Sequence, residues 1–341
     1  MKIVIDDRIP YLRGQAERLG ECVYLPGSEI SAADVRDADA LIVRTRTRCD
    51  AALLQGSSVR FVATATIGFD HLDTDFLDGA GIGWTNCAGC NAASVAQYVG
   101  SSLYLLRRDG LISASAVVGI VGVGNVGTKV AQLCRELGFR ILLNDPPRAV
   151  VEGGQGFCPL EQIAQEAEVI TFHVPLSADG PWPTRHLVDA SFLQNLALRP
   201  VIINSSRGEV VATSALIEAL DAGRVRAAVV DTWEDEPHIS QPLLQRAYIA
   251  TPHIAGYSAD GKACGTQMAL QAVAQAFGKS LSFNIQAPAI ASGYAYRLAG
   301  ADDAPIAVQL YNPLVDSRAL KATPERFEQL RGHYPLRREW L

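Results

Sequence analysis

The sequence predicts an α/β protein with two doubly wound, parallel-sheet domains and a small C-terminal α+β module. Its 341 residues exceed what one hydrophobic core usually organises. Short apolar runs typical of buried parallel strands alternate with helix-like stretches, at Ile3–Ile5, Ala40–Val43 and Phe61–Ala65. The alternation stops at a helical stretch over 92–108 and restarts at Val117, where a second α/β unit is predicted to begin.

The second unit keeps this alternation until about Thr251. Its strands are predicted at Val117–Val123, Arg140–Asn144, Val169–His173, Val201–Asn204, Ala227–Asp231 and Tyr248–Thr251. A long Ala- and Gln-rich helix follows over Ala263–Phe277, and prolines then punctuate short mixed segments beyond Ala287. This change of character predicts a separate module over 288–341.

The composition argues against several classes of partner. The formal net charge is −6 and no block of Lys or Arg interrupts it, which argues against nucleic acid. The longest apolar stretch, near Ala116–Val123, is far too short for a membrane span. The N-terminus lacks the apolar region of a signal peptide, so we expect a cytoplasmic protein. Cys87 and Cys90 have CxxC spacing, but no second pair of suitable ligands exists, so no metal is predicted.

A glycine-rich turn follows the first predicted strand of the second unit. It contains the pattern GxGxxG at Gly122, Gly124 and Gly127, with Asn125 and Val126 between the last two glycines. The first glycine permits a tight turn, the second a close approach of a pyrophosphate, and the third close packing of a helix on the strand. Free N–H groups at the start of that helix favour phosphates. The turn therefore predicts a dinucleotide site.

An acidic residue ends the next predicted strand. Asp145 can accept hydrogen bonds from the adenosine ribose and repel a 2′-phosphate, which favours NAD over NADP. Arg148 lies nearby and is able to accommodate a 2′-phosphate, so NADP stays an alternative.

Three further segments leave the carboxyl ends of predicted parallel strands, the edge where open α/β sheets bind ligands. They carry Arg207, Glu236 and His253. Oxidation of an alcohol beside a carboxylate needs a base for the hydroxyl proton, and His253 suits that role. An ionised Glu236 would favour the imidazolium form and fix the ring's tautomer. The planar guanidinium of Arg207 matches a carboxylate and can polarise the C2 oxygen.

With these residues the sequence resembles the D-isomer-specific 2-hydroxyacid dehydrogenases over roughly 1–285. The resemblance implies two Rossmann-like domains with a cleft between them. It also implies a discontinuous substrate domain (1–91 and 254–287), an NAD domain (92–253) and a C-terminal dimerisation module (288–341), hence a homodimer. Local matches narrow the likeness to one branch that acts on a phosphorylated hydroxy acid: Gly89–Ala92, Asp145–Arg148, Thr171–His173, Asp179–Pro181 and Pro252–Tyr257.

The resemblance also implies ligand contacts at single residues. Substrate contacts are implied at Thr45, Thr66 and Tyr257. Cofactor contacts are implied at Val126, Asp145, Val174, Asp231 and Gly256. The chain departs from the family pattern at Thr45, Gln97 and Val174, where serine, glutamate and threonine are usual; none of these departures removes a catalytic group.

One basic segment supports a phosphorylated substrate independently of the resemblance. Arginines and threonines alternate over 44–48, directly after the strand at Ala40–Val43. Arg44 lies closest to the strand end and is the predicted phosphate ligand. For Arg46 and Arg48 a solvated basic edge is an equally good interpretation.

Other functions stay open at this stage. Another member of the family is one, such as D-3-phosphoglycerate dehydrogenase or a glyoxylate/hydroxypyruvate reductase. A non-catalytic NAD-sensing protein on the same fold is another, although the complete catalytic set argues against it. A nucleotide-binding methyltransferase would share the glycine turn but would not need the catalytic set.

Overall fold

A computed structural model describes residues 1–289 and 297–339. Contacts divide the chain into two compact units: the first contains 1–91 and 259–289, and the second contains 92–258 and the described C-terminal residues. From the sequence, 1–91 and 254–287 were expected in the first domain. Residues 297–339 group with the second unit instead of forming a body of their own. The remainder of the expected C-terminal module, 290–296 and 340–341, lies outside the described residues.

Eleven strands and fourteen α-helices make up the regular structure of the described chain. The strands are β1 (Lys2–Asp6), β2 (Glu21–Leu25), β3 (Ala40–Val43), β4 (Phe61–Thr64), β5 (Gly83–Asn86), β6 (Val117–Val121), β7 (Arg140–Asn144), β8 (Val169–Phe172), β9 (Val201–Asn204), β10 (Ala227–Val230) and β11 (Ile249–Ala250). The helices are α1 (Ala32–Val35), α2 (Ala51–Leu54), α3 (Thr74–Gly79), α4 (Ala92–Arg108), α5 (Asn125–Glu136), α6 (Pro146–Glu152), α7 (Leu160–Glu166), α8 (Ala190–Gln194), α9 (Thr213–Asp221), α10 (Gln241–Arg246), α11 (Ala259–Ala276), α12 (Ile306–Gln309), α13 (Pro313–Ala322) and α14 (Phe327–Gly332).

The first unit is built on a parallel sheet with strand order β2-β1-β3-β4-β5. Both faces of its central strands are buried. Ile5 and Ile42 pack on one side with Leu270 of α11, whereas Val4 and Leu41 pack on the other side under α1 to α3. Burial of both faces explains why these strands are continuous apolar runs in the sequence.

Two strands of this sheet, β2 and β5, were not predicted. Both lie at its edges. No residue of β2 or β5 is fully buried, and β5 has the sequence Gly-Trp-Thr-Asn. An edge strand covers less apolar surface than a central one, so its sequence carries little of the pattern on which the prediction depends.

The second unit has a six-stranded parallel sheet in the order β11-β10-β9-β8-β6-β7. After β6 the chain adds β7 on one side and then β8 on the other. The reversal opens a crevice at the carboxyl ends of β6 and β8, which is where open α/β sheets bind ligands. The prediction of six strands here agrees with the structure apart from one or two residues at strand ends.

The described C-terminal residues are attached to the second unit through a buried arginine. Arg337 is 0% exposed. Its guanidinium donates to the carbonyls of Ile254 (3.0 Å), Ala255 (2.5 Å) and Tyr257 (2.8 Å) and stacks 4.0 Å from the centre of the Tyr311 ring. Short helices and irregular segments make up the rest of 297–339, and the β structure of the expected α+β module is, within these residues, the single bridge between Arg337 and Ser258.

Within 1–289 and 297–339, no helix combines the length and the apolar character needed to cross a membrane.

We expect Arg337→Met to destabilise the protein by about 3 kcal/mol or more, because several buried carbonyls would lose their donor. Urea or thermal unfolding of both proteins measures this. Arg318→Met is the matched control, since Arg318 is exposed on α13 and should change stability little. Equal unfolding midpoints for the Arg337 variant and the unmutated protein would show that the turn does not depend on this arginine.

Candidate active site

The glycine turn after β6 forms a tight backbone cradle. Gly122 has a φ of +86°, and a Cβ there would meet the carbonyl oxygen of His173 at 2.6 Å. A Cβ at Gly127 would meet the carbonyl oxygen of Gly122 at 2.0 Å, so α5 begins directly against the turn. A Cβ at Gly124 would meet no described atom within 4 Å. The cradle is therefore open at the start of α5, whose first N–H groups suit a pyrophosphate.

Asp145 closes the same turn and caps α6. Its Oδ2 accepts from the N–H of Val123 at 2.8 Å, and its Oδ1 accepts from the N–H of Arg148 at 3.1 Å. The guanidinium of Arg148 pairs with Glu152 at 2.7 and 2.9 Å and donates to the carbonyl of Val123. Because Arg148 is engaged within the protein and Asp145 keeps spare lone pairs, this end of the site favours a ribose over a ribose 2′-phosphate.

Three buried polar atoms at the carboxyl ends of β8, β9 and β10 have no hydrogen-bond partner among the described residues. They are His173 Nδ1, Ser205 Oγ and Thr232 Oγ1. Burial lowers the pKa of His173 to about 3, so its ring is neutral. An unpaired buried polar group costs about 1–3 kcal/mol. Three such atoms at the ligand-binding edge of the sheet are therefore suited to hydrogen-bond a polar ligand such as NAD.

The other predicted cofactor residues lie at this edge too. Val174 adjoins the glycine turn, with its Cγ1 2.8 Å from the position of a Cβ at Gly122. Val126 is half-buried in the first turn of α5 beside exposed Asn125. Gly256 is half-buried in the turn after β11.

Asp231 has a structural role that the sequence did not indicate. Its carboxylate is 1% exposed and accepts from the hydroxyl of Thr251 at 2.6 Å. It also accepts from the N–H groups of Ile254 at 2.8 Å and Ala255 at 2.9 Å. Burial raises the pKa of Asp231, against the lowering effect of His253 and of these hydrogen bonds. Asp231 thus holds the turn that carries His253.

His253 adopts a backbone conformation that non-glycine residues rarely use, with a φ of +56°. Its N–H donates to the carbonyls of Asp231 at 2.9 Å and Thr251 at 3.0 Å. The Thr251 hydroxyl also forms a 2.8 Å hydrogen bond with the Tyr98 hydroxyl. These hydrogen bonds offset the strain, and such strained positions concentrate at functional sites.

Arg207 follows β9 in a turn that Asn204 organises. Asn204 Oδ1 accepts from Ser206, and its Nδ2 donates to the Arg207 carbonyl at 2.8 Å. The turn packs against the loop after β10, since a Cβ at Gly208 would meet the carbonyl of Trp233 at 2.0 Å. No carboxylate of the described chain lies in ion-pair distance of the half-buried Arg207 guanidinium, so the group is available to an anion.

Glu236 and His253 form a hydrogen-bonded pair. His253 Nδ1 lies 2.9 Å from Glu236 Oε2 and 3.1 Å from Oε1. Since an ionised carboxylate only accepts, Nδ1 carries the proton and the lone pair of Nε2 stays available. Burial opposes ionisation of Glu236, but His253, the N–H of Trp233 and the charge of Arg331 together hold its pKa below the usual value.

The predicted substrate residues of the first unit lie near the carboxyl ends of β3 and β4. Arg44 follows β3, is half-buried and donates to the carbonyl of Arg8 at 3.2 Å. Thr45 is exposed, and Thr66 donates to the carbonyl of Gly68 at 2.9 Å. Tyr257, the other predicted substrate residue, belongs to the second unit.

Lys262 is a candidate that sequence reasoning missed. It lies in the first turns of α11, which packs on β4 with Gly265 against the carbonyl of Ala65. The N–H of Ala65 donates to Val43, the residue before Arg44. Burial, together with the positive charge of Arg44, lowers the pKa of Lys262 to about 8. Two neighbouring cations favour the binding of an anion. The sequence did not predict this pair because Arg44 and Lys262 lie far apart in the chain.

Comparison with known proteins identifies the family of this chain. The NAD binding domain of the D-isomer specific 2-hydroxyacid dehydrogenases matches residues 106–255. An erythronate-4-phosphate dehydrogenase from Bacteroides thetaiotaomicron is 50% identical over 341 residues, covering 99% of this chain and 97% of that protein. One from Edwardsiella ictaluri is 45% identical over 352 residues, covering 100% and 93%. The chain belongs to the erythronate-4-phosphate dehydrogenase family of D-isomer specific 2-hydroxyacid dehydrogenases.

Solved structures of related dehydrogenases share the fold of this family at lower identity. A glyoxylate reductase from Paecilomyes thermophila has a TM-score of 0.67 and 21% identity, covering 83% of this chain and 97% of that one. A D-lactate dehydrogenase from Aquifex aeolicus, complexed with NAD and lactic acid, has a TM-score of 0.61 and 21% identity, covering 82% and 96%. The predicted fold of two parallel-sheet α/β domains is confirmed. The predictions of an NAD-dependent 2-hydroxyacid dehydrogenase and of NAD are confirmed by the family.

We expect Asp145→Ser to narrow the preference for NAD over NADP by about tenfold, because it removes the repulsion between the Asp145 carboxylate and the 2′-phosphate of NADP. Like charges about 4 Å apart near a surface repel by at least ~1 kcal/mol. Serine keeps a cap for α6, so the fold should be retained. Ratios of kcat/KM for the two cofactors measure the effect. Equal use of NAD and NADP by the unmutated enzyme would contradict the role given to Asp145.

Proposed function

We propose that this protein is a 4-phosphoerythronate dehydrogenase. It oxidises the C2 hydroxyl of 4-phospho-D-erythronate to give 2-oxo-3-hydroxy-4-phosphobutanoate, a step of pyridoxine biosynthesis. The observation that carries the proposal is the 2.9 Å pair of Glu236 and His253, in the unit that also holds the glycine turn. The 50% identity with an erythronate-4-phosphate dehydrogenase over nearly the whole chain supports this choice of substrate.

His253 is the base of the reaction. NAD, when bound, accepts the hydride that leaves C2. The Nε2 atom of His253 takes the proton of the C2 hydroxyl as the carbonyl forms, so one hydride and one proton leave the alcohol. Glu236 stabilises the resulting imidazolium through Nδ1 and keeps the ring in the required tautomer.

Arg207 binds the substrate carboxylate and polarises the C2 oxygen. Its guanidinium extends from a turn that Asn204 and Gly208 hold in place. A planar fork of donors matches a carboxylate with two parallel hydrogen bonds. In the cofactor region, Asp145 and the turn from Gly122 to Gly127 hold the adenosine ribose and the pyrophosphate.

Arg44 and Lys262 bind the phosphate. A phosphorylated acid carries a second anionic group, which needs a cation other than Arg207. Lys262 gains most from such a ligand, because burial and the charge of Arg44 both disfavour its protonation and a nearby anion favours it. Thr45 and Thr66 supply hydroxyl groups at the same ends of β3 and β4, and Tyr257 is a further substrate contact.

The protein is further proposed to work in the cytoplasm as a homodimer joined through its C-terminal region. The likeness of 288–341 to a dimerisation region supports this, as does Ile306, which is 55% exposed on α12. Light scattering during gel filtration measures the mass of the particle.

We expect His253→Asn to lower kcat by roughly two orders of magnitude or more, as for loss of a general base. NADH binding, followed by fluorescence, should survive because the imidazole is assigned to the substrate. His238→Asn is the matched control, an exposed histidine beside the same loop. Near-normal turnover in a folded His253 variant would refute the assignment.

We expect 4-phospho-D-erythronate to be a far better substrate than erythronate, and Arg44→Ala to remove most of that difference. A charge-assisted hydrogen bond contributes about 1.5–3 kcal/mol, so KM for the phosphorylated acid should rise roughly 10- to 100-fold. KM for erythronate should change little. Reduction of NAD, followed by absorbance with each acid and with 3-phosphoglycerate, provides the measurement.

Arg48→Ala is the control for Arg44, because Arg48 lies in the same basic segment but pairs with Asp50 at 3.0 Å. Equal losses for both acids in the Arg44 variant would mean that Arg44 supports the fold and does not recognise phosphate. Preference of the unmutated enzyme for 3-phosphoglycerate would defeat the choice of substrate.

A further inference from the structure

A second cation contacts the carboxylate of the acid–base pair. Arg331, in α14, places its Nη1 3.5 Å from Glu236 Oε2. The same oxygen lies 2.9 Å from Nδ1 of His253. The side chains of Arg331, Glu236 and His253 are 30%, 18% and 29% exposed, so solvent screens these contacts only in part.

The surrounding contacts fix Arg331 in this position. Its guanidinium interacts with Tyr257, whose ring packs edge-on against Tyr334 at 6.2 Å. Three residues beyond Tyr334, Arg337 is buried in the turn that follows His253. The C-terminal segment is therefore attached to the turn over 251–257, here called the catalytic turn, at Arg331 itself and again at Tyr334 and Arg337.

We propose that Arg331 is a positioning residue for the acid–base step, which holds Glu236 ionised and aimed at His253 and opposes protonation of the imidazole. Oε2 of Glu236 then faces two positive groups whenever His253 is protonated. Without Arg331, the carboxylate would interact with the imidazolium alone. The charge of Arg331 thus opposes the imidazolium form of His253 through the carboxylate that the two groups share.

The charges around the pair fix the sign of this effect. The charged and titratable groups around His253 and Arg331 are Asp231 and Glu236 from the loop after β10, Tyr257 from the turn after β11, and Glu328 from α14. Arg331 itself is a cation. Removing it takes away repulsion toward the imidazolium and leaves the attraction of Glu236 and Asp231, so protonation of His253 becomes easier.

Substitution of Arg331 and of Glu236 should therefore move the titration of His253 in opposite directions. Arg331→Gln should raise its midpoint by on the order of half a pH unit, as expected for one partly screened charge. Glu236→Gln should lower the midpoint, because it removes the attracting charge. A merely structural role for Arg331 would not produce a shift of opposite sign.

The test is a histidine NMR titration of the complete protein. The chain has six histidines, and His253→Asn identifies the resonance of His253. Arg331→Lys keeps the charge and should restore most of the midpoint. Arg326→Gln is the matched control, because Arg326 lies in the same segment but donates to Gln329 and should leave the midpoint unchanged.

The acidic limb of the pH–kcat profile should shift upward with the NMR midpoint in Arg331→Gln. An unchanged or lowered midpoint in that variant, or an equal shift in Arg326→Gln, overturns the proposal. Of the two measurements, only the pH–kcat profile rests on the proposed function. Failure to oxidise 4-phospho-D-erythronate would remove that readout, whereas the NMR titration would still decide the role of Arg331.

Discussion

The guanidinium of Arg337 inside the turn after β11 is the contact on which the geometry of the site depends. Carbonyls 254, 255 and 257 point toward one another in this turn, and their oxygens would be buried together without a donor. A planar group with five N–H donors satisfies them at once, and Gln97 and the carbonyl of Ser94 take two more of its hydrogen bonds. Within the described chain no carboxylate pairs with this cation. Backbone carbonyls and the ring of Tyr311 contact its guanidinium, and the charge of Asp316 acts on it from a longer distance.

The catalytic turn is thus stabilised from two directions. Asp231 accepts its N–H groups from the side of the sheet, and Arg337 donates to its carbonyls from the C-terminal segment. A buried anion and a buried cation together satisfy a stretch of backbone that forms neither helix nor strand. His253, at the start of this stretch, can therefore keep its left-handed backbone conformation, with its ring 2.9 Å from Glu236.

Features that neighbouring residues determine were predicted from the sequence, whereas contacts between residues far apart in the chain were not. Central strands such as β3 and β9 are continuous apolar runs because both of their faces are buried, and they were predicted with nearly correct ends. The pairing of Glu236 with His253 followed from a rule about parallel sheets, which bring strand ends together. Arg331, Arg337 and Lys262 follow no such rule. Their partners lie far away in the chain, and in the sequence they resemble any other surface cation.

The three glycines of the turn after β6 differ in what constrains them. Gly122 and Gly127 are required by the protein itself, because a side chain there would meet the backbone at 2.6 and 2.0 Å. Gly124 has an ordinary φ of −72° and open space in front of it, so the described chain tolerates a methyl group at this position. Selection for folding alone would therefore preserve two of the three glycines, and only a bound dinucleotide would preserve the third. A relative that keeps the equivalents of Gly122 and Gly127 but has lost that of Gly124 should still fold as an α/β domain and should no longer bind a dinucleotide.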